Sequence, residues 1–386
     1  MTKYTMDELS IEITYACDMR CKHCSSSAGD RLPNEMPTGR ILEIIENSIK
    51  HCGTTSFSIS GGEPLLHPDI FKIMDFAWGN GLQILLYTSG VLKSDKMYHG
   101  ITPIMAKVFQ KYADVDKSNE RYGVTTKDKL KIIFGVHGAN AKVHDEITQI
   151  KGSFLCQQYA IKNCVDAGLY VACHFVPTKI NFREIHSVVD YFDSIGAHEI
   201  SLLRYVPQGR GLNFNDDLMM SREEFRELQE IIIKEKQRAN NRNIHFRPGI
   251  PIDFAFQCPG GWPKPKPCDG GKTKILVRPN GEVNVCPAWK NLPDYIAGNL
   301  MEQTVKDVWE NSPTYKMFRN FVPTDLKGKC ATCEDRDECW GGCAAQRILK
   351  YGDINRGPDP LCPRNTHTTK FPKNGKNYTF EEERSV

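Results

Sequence analysis

The stretch that most constrains this chain is ITYACDMRCKHCSSSAG, Ile13 to Gly29. It sets Cys17, Cys21 and Cys24 within eight residues, directly after a short apolar run. A structural zinc site takes four ligands, usually as two close pairs. The C-x3-C-x2-C spacing offers no nearby fourth, and His23 abuts Cys24 too closely to supply one. Three is also the wrong number for disulfides. A cubane iron–sulfur cluster normally takes four thiolates, so three would leave one iron open to a substrate or cofactor. The loop therefore reads as a reactive cluster site and not a structural one.

The rest of the composition narrows the setting. The 386 residues allow two domains, or one large domain with an appendage. A net charge of +3 with 25% charged residues is too balanced to argue for nucleic acid or membrane binding. The first ten residues lack the apolar core of a signal peptide. No apolar run approaches the length of a membrane span. Fifteen cysteines without an export signal point to a cytoplasmic protein with reduced thiols and metal ligation. Three sit at the start and eight lie between Cys258 and Cys362. Cys52, Cys156, Cys164 and Cys173 are scattered and read as small buried hydrophobes.

Residues 10 to about 240 alternate strand-like and helix-like runs. The strand candidates are 11–15, 56–60, 83–88, 131–136, 169–176 and 199–206, with helical patterns near 38–51, 68–79, 154–167, 182–195 and 221–238. Repeated β–α units predict a parallel sheet. Six units suit an α/β fold of the partial (β/α)6 TIM-like kind, with the chemistry at the C-terminal strand ends. The three cysteines fall on that face. Period-2 parity makes one face of each strand polar, with Glu12, Ser58 and His174 among its residues. Either an interior open to a polar ligand or satisfied polar groups at strand ends would explain this. Residues 92–130 break the rhythm and read as one helix plus a Lys-rich excursion, over the barrel mouth or as a surface loop. From 251 the chain turns Pro- and Gly-rich. The expected organisation is an N-terminal segment 1–9, a core 10–250 with the insertion 92–130, a small irregular cysteine-rich domain 251–366, and a polar tail 367–386.

With a ring side chain, His23, just before the last cysteine, the C-x3-C-x2-C pattern resembles the signature of the radical S-adenosylmethionine (SAM) superfamily. The resemblance implies a [4Fe–4S] cluster on Cys17, Cys21 and Cys24, with SAM chelating the open iron. It also implies reductive cleavage of SAM to a 5′-deoxyadenosyl radical that abstracts hydrogen from a substrate. Ser60-Gly61-Gly62-Glu63-Pro64 follows the second strand. Glycines there admit a close ligand, and Glu63 can meet an ammonium. Alone the run could be a tight turn; in this position it resembles the family's GGE motif, which contacts the SAM amino group. Thr88-Ser89-Gly90 resembles the family's turn after the third strand, and residues 135–154 resemble the fourth-strand segment of peptide-modifying relatives. The resemblance extends the cofactor contacts to Asn181, after the fifth strand, and to Arg204, beside the VPQGRG run 206–211 that would pack on the adenosine. The full set is Gly61, Gly62, Glu63, Pro64, Asn181 and Arg204.

The C-terminal cysteines resemble the SPASM extension, which holds two auxiliary [4Fe–4S] clusters. The resemblance gives the first cluster Cys258, Cys268, Cys286 and Cys343, and the second Cys330, Cys333, Cys339 and Cys362. Whether Cys258 is a ligand stays open, because it stands far from Cys268; without it the first auxiliary cluster would have an open iron. Read alone, CATCEDRDEC also fits a zinc ribbon.

Taken together, the family implies an enzyme that modifies a peptide, forming a thioether or carbon–carbon crosslink in a ribosomally made substrate. Formylglycine formation on a sulfatase and small-metabolite oxidation are the alternatives within that class, and an iron–sulfur electron-transfer protein is the alternative outside it. The implied partners are a peptide and a low-potential donor such as flavodoxin or ferredoxin; with only about ten residues before the first strand, leader recognition falls to a separate leader-peptide-binding protein or to the barrel and SPASM surfaces. The substrate, the bond formed and any catalytic acid or base are not legible.

Overall fold

The computed structural model describes residues 4–113, 129–239, 242–248, 268 and 270–362. Its strands are β1 (Glu8–Thr14), β2 (Ser56–Gly61), β3 (Gln83–Thr88), β4 (Val91–Ser94), β5 (Met97–Gly100), β6 (Leu130–Val136), β7 (Tyr170–Phe175), β8 (Glu199–Leu202), β9 (His245–Pro248), β10 (Lys274–Val277), β11 (Glu282–Asn284) and β12 (Gly298–Asn299). The helices of the first half are α1 (Thr38–Cys52), α2 (Ile70–Gly79), α3 (Pro103–Phe109), α4 (Ala141–Thr148), α5 (Ser153–Asp166) and α6 (Ile185–Ser194). They are followed by α7 (Asn215–Leu218), α8 (Arg222–Ala239), α9 (Val305–Asn311), α10 (Pro313–Asn320), α11 (Arg336–Cys339) and α12 (Ala344–Tyr351).

The six expected strands lie side by side in chain order, β1-β2-β3-β6-β7-β8, all parallel. Two strands absent from the sequence reading extend this sheet at its ends: β9 pairs with β8, and β10 pairs with β1, both parallel. β11 and β12 then add antiparallel, giving ten strands whose two ends do not meet. The partial barrel is thus an open sheet. Residues 274–299, expected in the C-terminal extension, continue the core sheet through backbone hydrogen bonds. Among the described residues no helix is long and apolar enough to cross a membrane.

Strand parity explains the layering. Leu9, Ile11, Phe57, Ile59, Phe134 and Phe175 alternate onto one face and are wholly buried. They form one apolar core with Ile41 and Ile44 of α1, Ile73 of α2, Ile161 of α5 and Val188 of α6. The other face is polar. Ser58 Oγ donates to Glu8 Oε1 at 2.6 Å, Lys131 Nζ to Glu199 Oε2 at 2.8 Å, and the Tyr87 and His174 rings meet edge-on at 5.5 Å. Burial lowers the His174 pKa to about 4, so its ring is neutral at physiological pH.

Two expectations about elements are corrected. The last expected strand, 199–206, stops at Leu202, and Arg204 to Val206 continue as a loop. The insertion 92–130 opens with a β4–β5 hairpin before its helix. That hairpin packs along α5, where Gly100 lies against the Cys156 carbonyl and Ala160. Its tip is a short turn with Asp95 at positive φ, which a helix-period search does not register. Residues 114–128 lie outside the described residues.

Parity also settles Cys173. It shares the apolar row with Val171 and Phe175 and is wholly buried in the core, so its thiol faces away from the polar interior. Cys173→Ala is expected to cost on the order of 1 kcal/mol and to leave SAM cleavage intact. Denaturant midpoint and 5′-deoxyadenosine yield check this; lost cleavage with unchanged stability would contradict the packing role.

Candidate active site

The three-cysteine loop begins where β1 ends and is closed on itself. Cys17 N–H donates to the Gly29 carbonyl at 2.8 Å and Gly29 N–H to the Tyr15 carbonyl at 2.9 Å. Glu35 stitches the base, accepting from Thr14 Oγ1 at 3.0 Å, Tyr15 N–H at 2.7 Å and Leu32 N–H at 3.1 Å. Its far side hangs on the end of α4, with Lys22 N–H on the Ile147 carbonyl at 2.8 Å and Arg20 N–H on the Thr148 carbonyl at 3.2 Å. The imidazoles of His23, His137 and His144 lie in a row, His23 edge-on to His137 at 4.7 Å and His144 tilted against it at 5.2 Å. Burial lowers the His23 pKa to about 4.

All three cysteines are half-buried. Burial first, then Glu63 and Cys24 among its neighbours, push the Cys17 thiol up to about 12. Burial likewise raises Cys21, with Cys17 and Cys24 adding to it. Three thiols in one another's field, in a shielded loop, are a donor set that bound iron would deprotonate. Among the described residues no three His, Cys, Asp or Glu side chains converge as ligands of a single ion. Three thiols on one short loop are the donor type that an iron–sulfur cluster takes.

Gly61 and Gly62 admit a close neighbour, but that neighbour is the chain itself. A Cβ on Gly61 would stand 2.2 Å from the Thr14 carbonyl oxygen, and one on Gly62 would stand 2.3 Å from that of Ala16. Gly62 N–H and Glu63 N–H donate to these same two carbonyls, at 2.7 and 2.8 Å. The two glycines dock the turn onto the root of the cysteine loop. Pro64 is buried in the first turn of a short 3-10 helix.

Glu63 is wholly buried. Its Oε1 accepts from Thr88 Oγ1 at 2.7 Å and Leu65 N–H at 3.2 Å; its Oε2 accepts from Ser89 N–H at 2.8 Å and Ser89 Oγ at 2.7 Å. Burial raises its pKa while these four bonds favour the carboxylate. A carboxylate offers about four acceptor positions, so an ammonium reaching Glu63 must displace one donor, and the hydroxyls of Thr88 and Ser89 are the two that can rotate. Glu63 thereby links the turns after β2 and β3, and its charge reaches Cys17.

Asn181 and Arg204, both expected at the cofactor, each tie separate parts of the chain together. The Asn181 amide is buried; it donates to the His137 and Val176 carbonyls at 3.0 and 3.2 Å and accepts from Thr178 N–H and Oγ1 at 2.7 and 3.0 Å. It fastens the loop after β7 to the loop after β6. The Arg204 guanidinium forms a two-pronged ion pair with Asp359 of the C-terminal region. Burial acts against its charge, and Asp359 outweighs that, so its pKa sits above the ordinary value.

The 206–211 run packs on the cysteine loop. Gly209, at φ +52°, leaves no room for a Cβ beside the Cys24 and Ser25 carbonyls. Arg210 N–H donates to the Cys24 carbonyl at 3.0 Å, and its guanidinium to the carbonyls of Cys21 and Ala28. A second clamp comes from Lys290, four residues after Cys286. Its buried ammonium pairs with Glu12 and donates to Ser26 Oγ at 2.6 Å and Ser25 Oγ at 3.3 Å. Tyr15 Oη donates to Glu12 Oε2 at 3.0 Å and accepts from Arg278 Nε at 3.1 Å. Glu35 and Lys290 were not marked by sequence reasoning, and Arg210 only as part of the 206–211 run. The only local signal was the Gly-Arg-Gly run.

The C-terminal cysteines fall into two groups. Cys268 and Cys343 act on the Cys286 thiol, which burial also raises, and Cys268 acts on Cys343. Cys330 lies in the field of Cys362 and Cys333, and Cys339 in that of Cys362 and Cys330. Cys258, expected with the first group, lies outside the described residues.

An open parallel α/β sheet, with a shielded three-thiol loop at its first strand end and two further thiol groups beyond, defines a class of radical enzymes. Residues 11–192 match the radical SAM superfamily and residues 268–334 the iron-sulfur cluster-binding SPASM domain. The chain belongs to the radical SAM superfamily, in its SPASM-bearing branch, and is an enzyme that uses SAM and iron–sulfur clusters. It is 28% identical over 361 residues to mycofactocin maturase MftC of Mycolicibacterium smegmatis, covering 92% of this chain and 82% of that one. It is 25% identical over 356 residues to PqqA peptide cyclase of Gluconobacter oxydans, covering 92% and 89%. Its fold is similar to that of Streptococcus suis SuiB bound to the precursor peptide SuiA, with TM-score 0.71, 19% identity, and 94% and 76% of the two chains covered.

Two outcomes test the site. Replacing Cys17, Cys21 and Cys24 together by Ala is expected to abolish SAM cleavage while leaving the other cluster signals in the electron paramagnetic resonance (EPR) spectrum; retained cleavage would overturn the assignment. Glu63→Ala strands the donors of Thr88 and Ser89, at ~1–3 kcal/mol. The expected result is a loss of SAM affinity of about tenfold or more, measured by equilibrium binding to the anaerobic holoenzyme.

Proposed function

We propose that the chain is a peptide maturase of the radical SAM/SPASM class, which crosslinks a ribosomally made peptide by oxidising an unactivated C–H bond. The observation that carries this reading is the joining, in one fold, of a shielded three-thiol loop and two further thiol groups. The names of its relatives, a maturase and a peptide cyclase, support the peptide. So does the precursor peptide bound to the structurally similar SuiB.

A [4Fe–4S] cluster held by Cys17, Cys21 and Cys24 would supply the electron that cleaves SAM to methionine and the 5′-deoxyadenosyl radical. The chain's own residues position and shield this chemistry. Gly61 and Gly62 fix the loop on β1, Arg210 clamps its backbone, Lys290 holds its serine hydroxyls, and Glu63 sets the two turns that face it. The polar strand face, with Tyr87 and His174 near its upper end, is the wall along which the peptide's reacting segment would lie. A low-potential flavodoxin or ferredoxin would donate the electron, in the cytoplasm. A separate leader-binding protein would present the peptide. Three four-iron clusters require about twelve irons per chain.

The test is intact mass of short peptides encoded beside the gene, after anaerobic co-expression. Loss of a pair of hydrogens from one peptide is the expected result. No mass change in any candidate, with SAM still cleaved to 5′-deoxyadenosine, would move the substrate to a protein or small molecule.

A further inference from the structure

Arg347, on α12, is 1% exposed. Its Nη1 donates to the Trp340 carbonyl at 3.0 Å, the ring of Phe321 lies 5.1 Å away, and Nε has no partner. No carboxylate of the described residues lies within ion-pair distance of it. A buried guanidinium without a counter-ion is strongly unfavourable. Burial pulls its pKa down; Asp359, and then Cys343, Cys330 and Cys339, act in the opposite sense. Those cysteines belong to both expected auxiliary ligand sets. Gly357, whose Cβ would collide with Cys330 Sγ at 2.5 Å and reach Arg347 Cδ at 4.0 Å, packs the cation close to that sulfur.

Asp359 organises the same spot. Its Oδ2 accepts from Cys343 N–H at 2.7 Å and Arg204 Nη1 at 2.8 Å, and its Oδ1 accepts from Leu361 N–H at 2.8 Å and from Arg204 Nη2. The Arg204 charge is therefore matched by Asp359, and that of Arg347 is left over. Two buried cations and one buried anion stand among Cys330, Cys339 and Cys343.

We propose that Arg347, with the Arg204–Asp359 pair, is a potential-setting charge group between the two auxiliary cluster sites, and that it favours their reduced state. The clusters' thiolates are the counter-ions Arg347 otherwise lacks. A fixed buried cation favours the added negative charge of reduction, since cluster potentials follow local charge and burial. This rests on the crosslinking reading, which needs such an acceptor. One electron is consumed in cleaving the SAM carbon–sulfur bond. The resulting radical takes a hydrogen atom from the substrate C–H, giving 5′-deoxyadenosine. Forming the crosslink to an X–H group releases one proton and one electron, and the electron passes to an oxidised auxiliary cluster. The substrate has then lost two hydrogens and two electrons.

The test is EPR-monitored redox titration of the anaerobic holoenzyme in the Cys17, Cys21 and Cys24→Ala background, where only the auxiliary signals remain. Arg347→Gln is expected to lower the reduced-to-oxidised ratio at fixed potential by about tenfold, a midpoint shift of ~59 mV to more negative values for a one-electron couple. Arg347→Lys keeps the charge and should hold the midpoint near the parent value. Asp359→Asn removes the anion and should shift it the other way. An unchanged midpoint in Arg347→Gln, or equal shifts in the Gln and Lys variants, would overturn the proposal. If Arg347→Gln loses its auxiliary iron, Asp359→Asn decides: a positive shift supports the proposal, and no shift or a negative one overturns it. These readouts need no peptide, so a failed crosslinking assay with the expected shifts would count against the peptide reading alone.

Discussion

The backbone of Gly61 and Gly62 lies so close to the carbonyls of Thr14 and Ala16 that no side chain fits between them. That approach ties the end of β2 to the root of the cysteine loop, and the rest of the site is built outward from it. Glu63, next in the chain, is carried into a buried position where Thr88, Ser89 and Leu65 fill its oxygens. The first three strand ends thereby become one rigid platform. A loop carrying three reactive thiols has little apolar surface with which to hold itself. Its order must come from hydrogen bonds to neighbours that the sheet has already fixed.

Buried charge then joins the two halves. Lys290 reaches from beside Cys286 to Glu12 and to the serines after Cys24, while Arg204 reaches from the core to Asp359 beside Cys343. Such pairs add little net stability, but removing one partner strands the other in a medium of low polarity. They are better understood as registration devices. They set one thiol group relative to another, and electron transfer depends on that spacing. Arg347 is the exception, a cation whose natural partners are the thiolates themselves.

Much of this was legible from the chain. The period-2 and 3.6 patterns place the six parallel strands and their helices, because apolar side chains must leave water on one side of each element. The cysteine spacing marks the loop, since ligand count follows from cluster chemistry. What was missed has a common cause. β9 and β10 are four-residue strands, too short for a period to show, and the open edges of the sheet make them strands. The β4–β5 hairpin is equally short. The partners that hold Asn181 and Arg204 in the fold, His137 and Asp359, are residues that a linear reading cannot bring near them.

By itself the sequence determined the thiol groups, the parallel α/β core and the polar strand face, because each rests on local spacing and on which residue types water will tolerate. Tertiary structure alone decided what those residues do for one another. It turned the two glycines toward β1, filled the oxygens of Glu63 and left Arg347 with no carboxylate of the described residues in ion-pair range. These outcomes depend on which distant groups share a low-dielectric space, and folding sets that proximity.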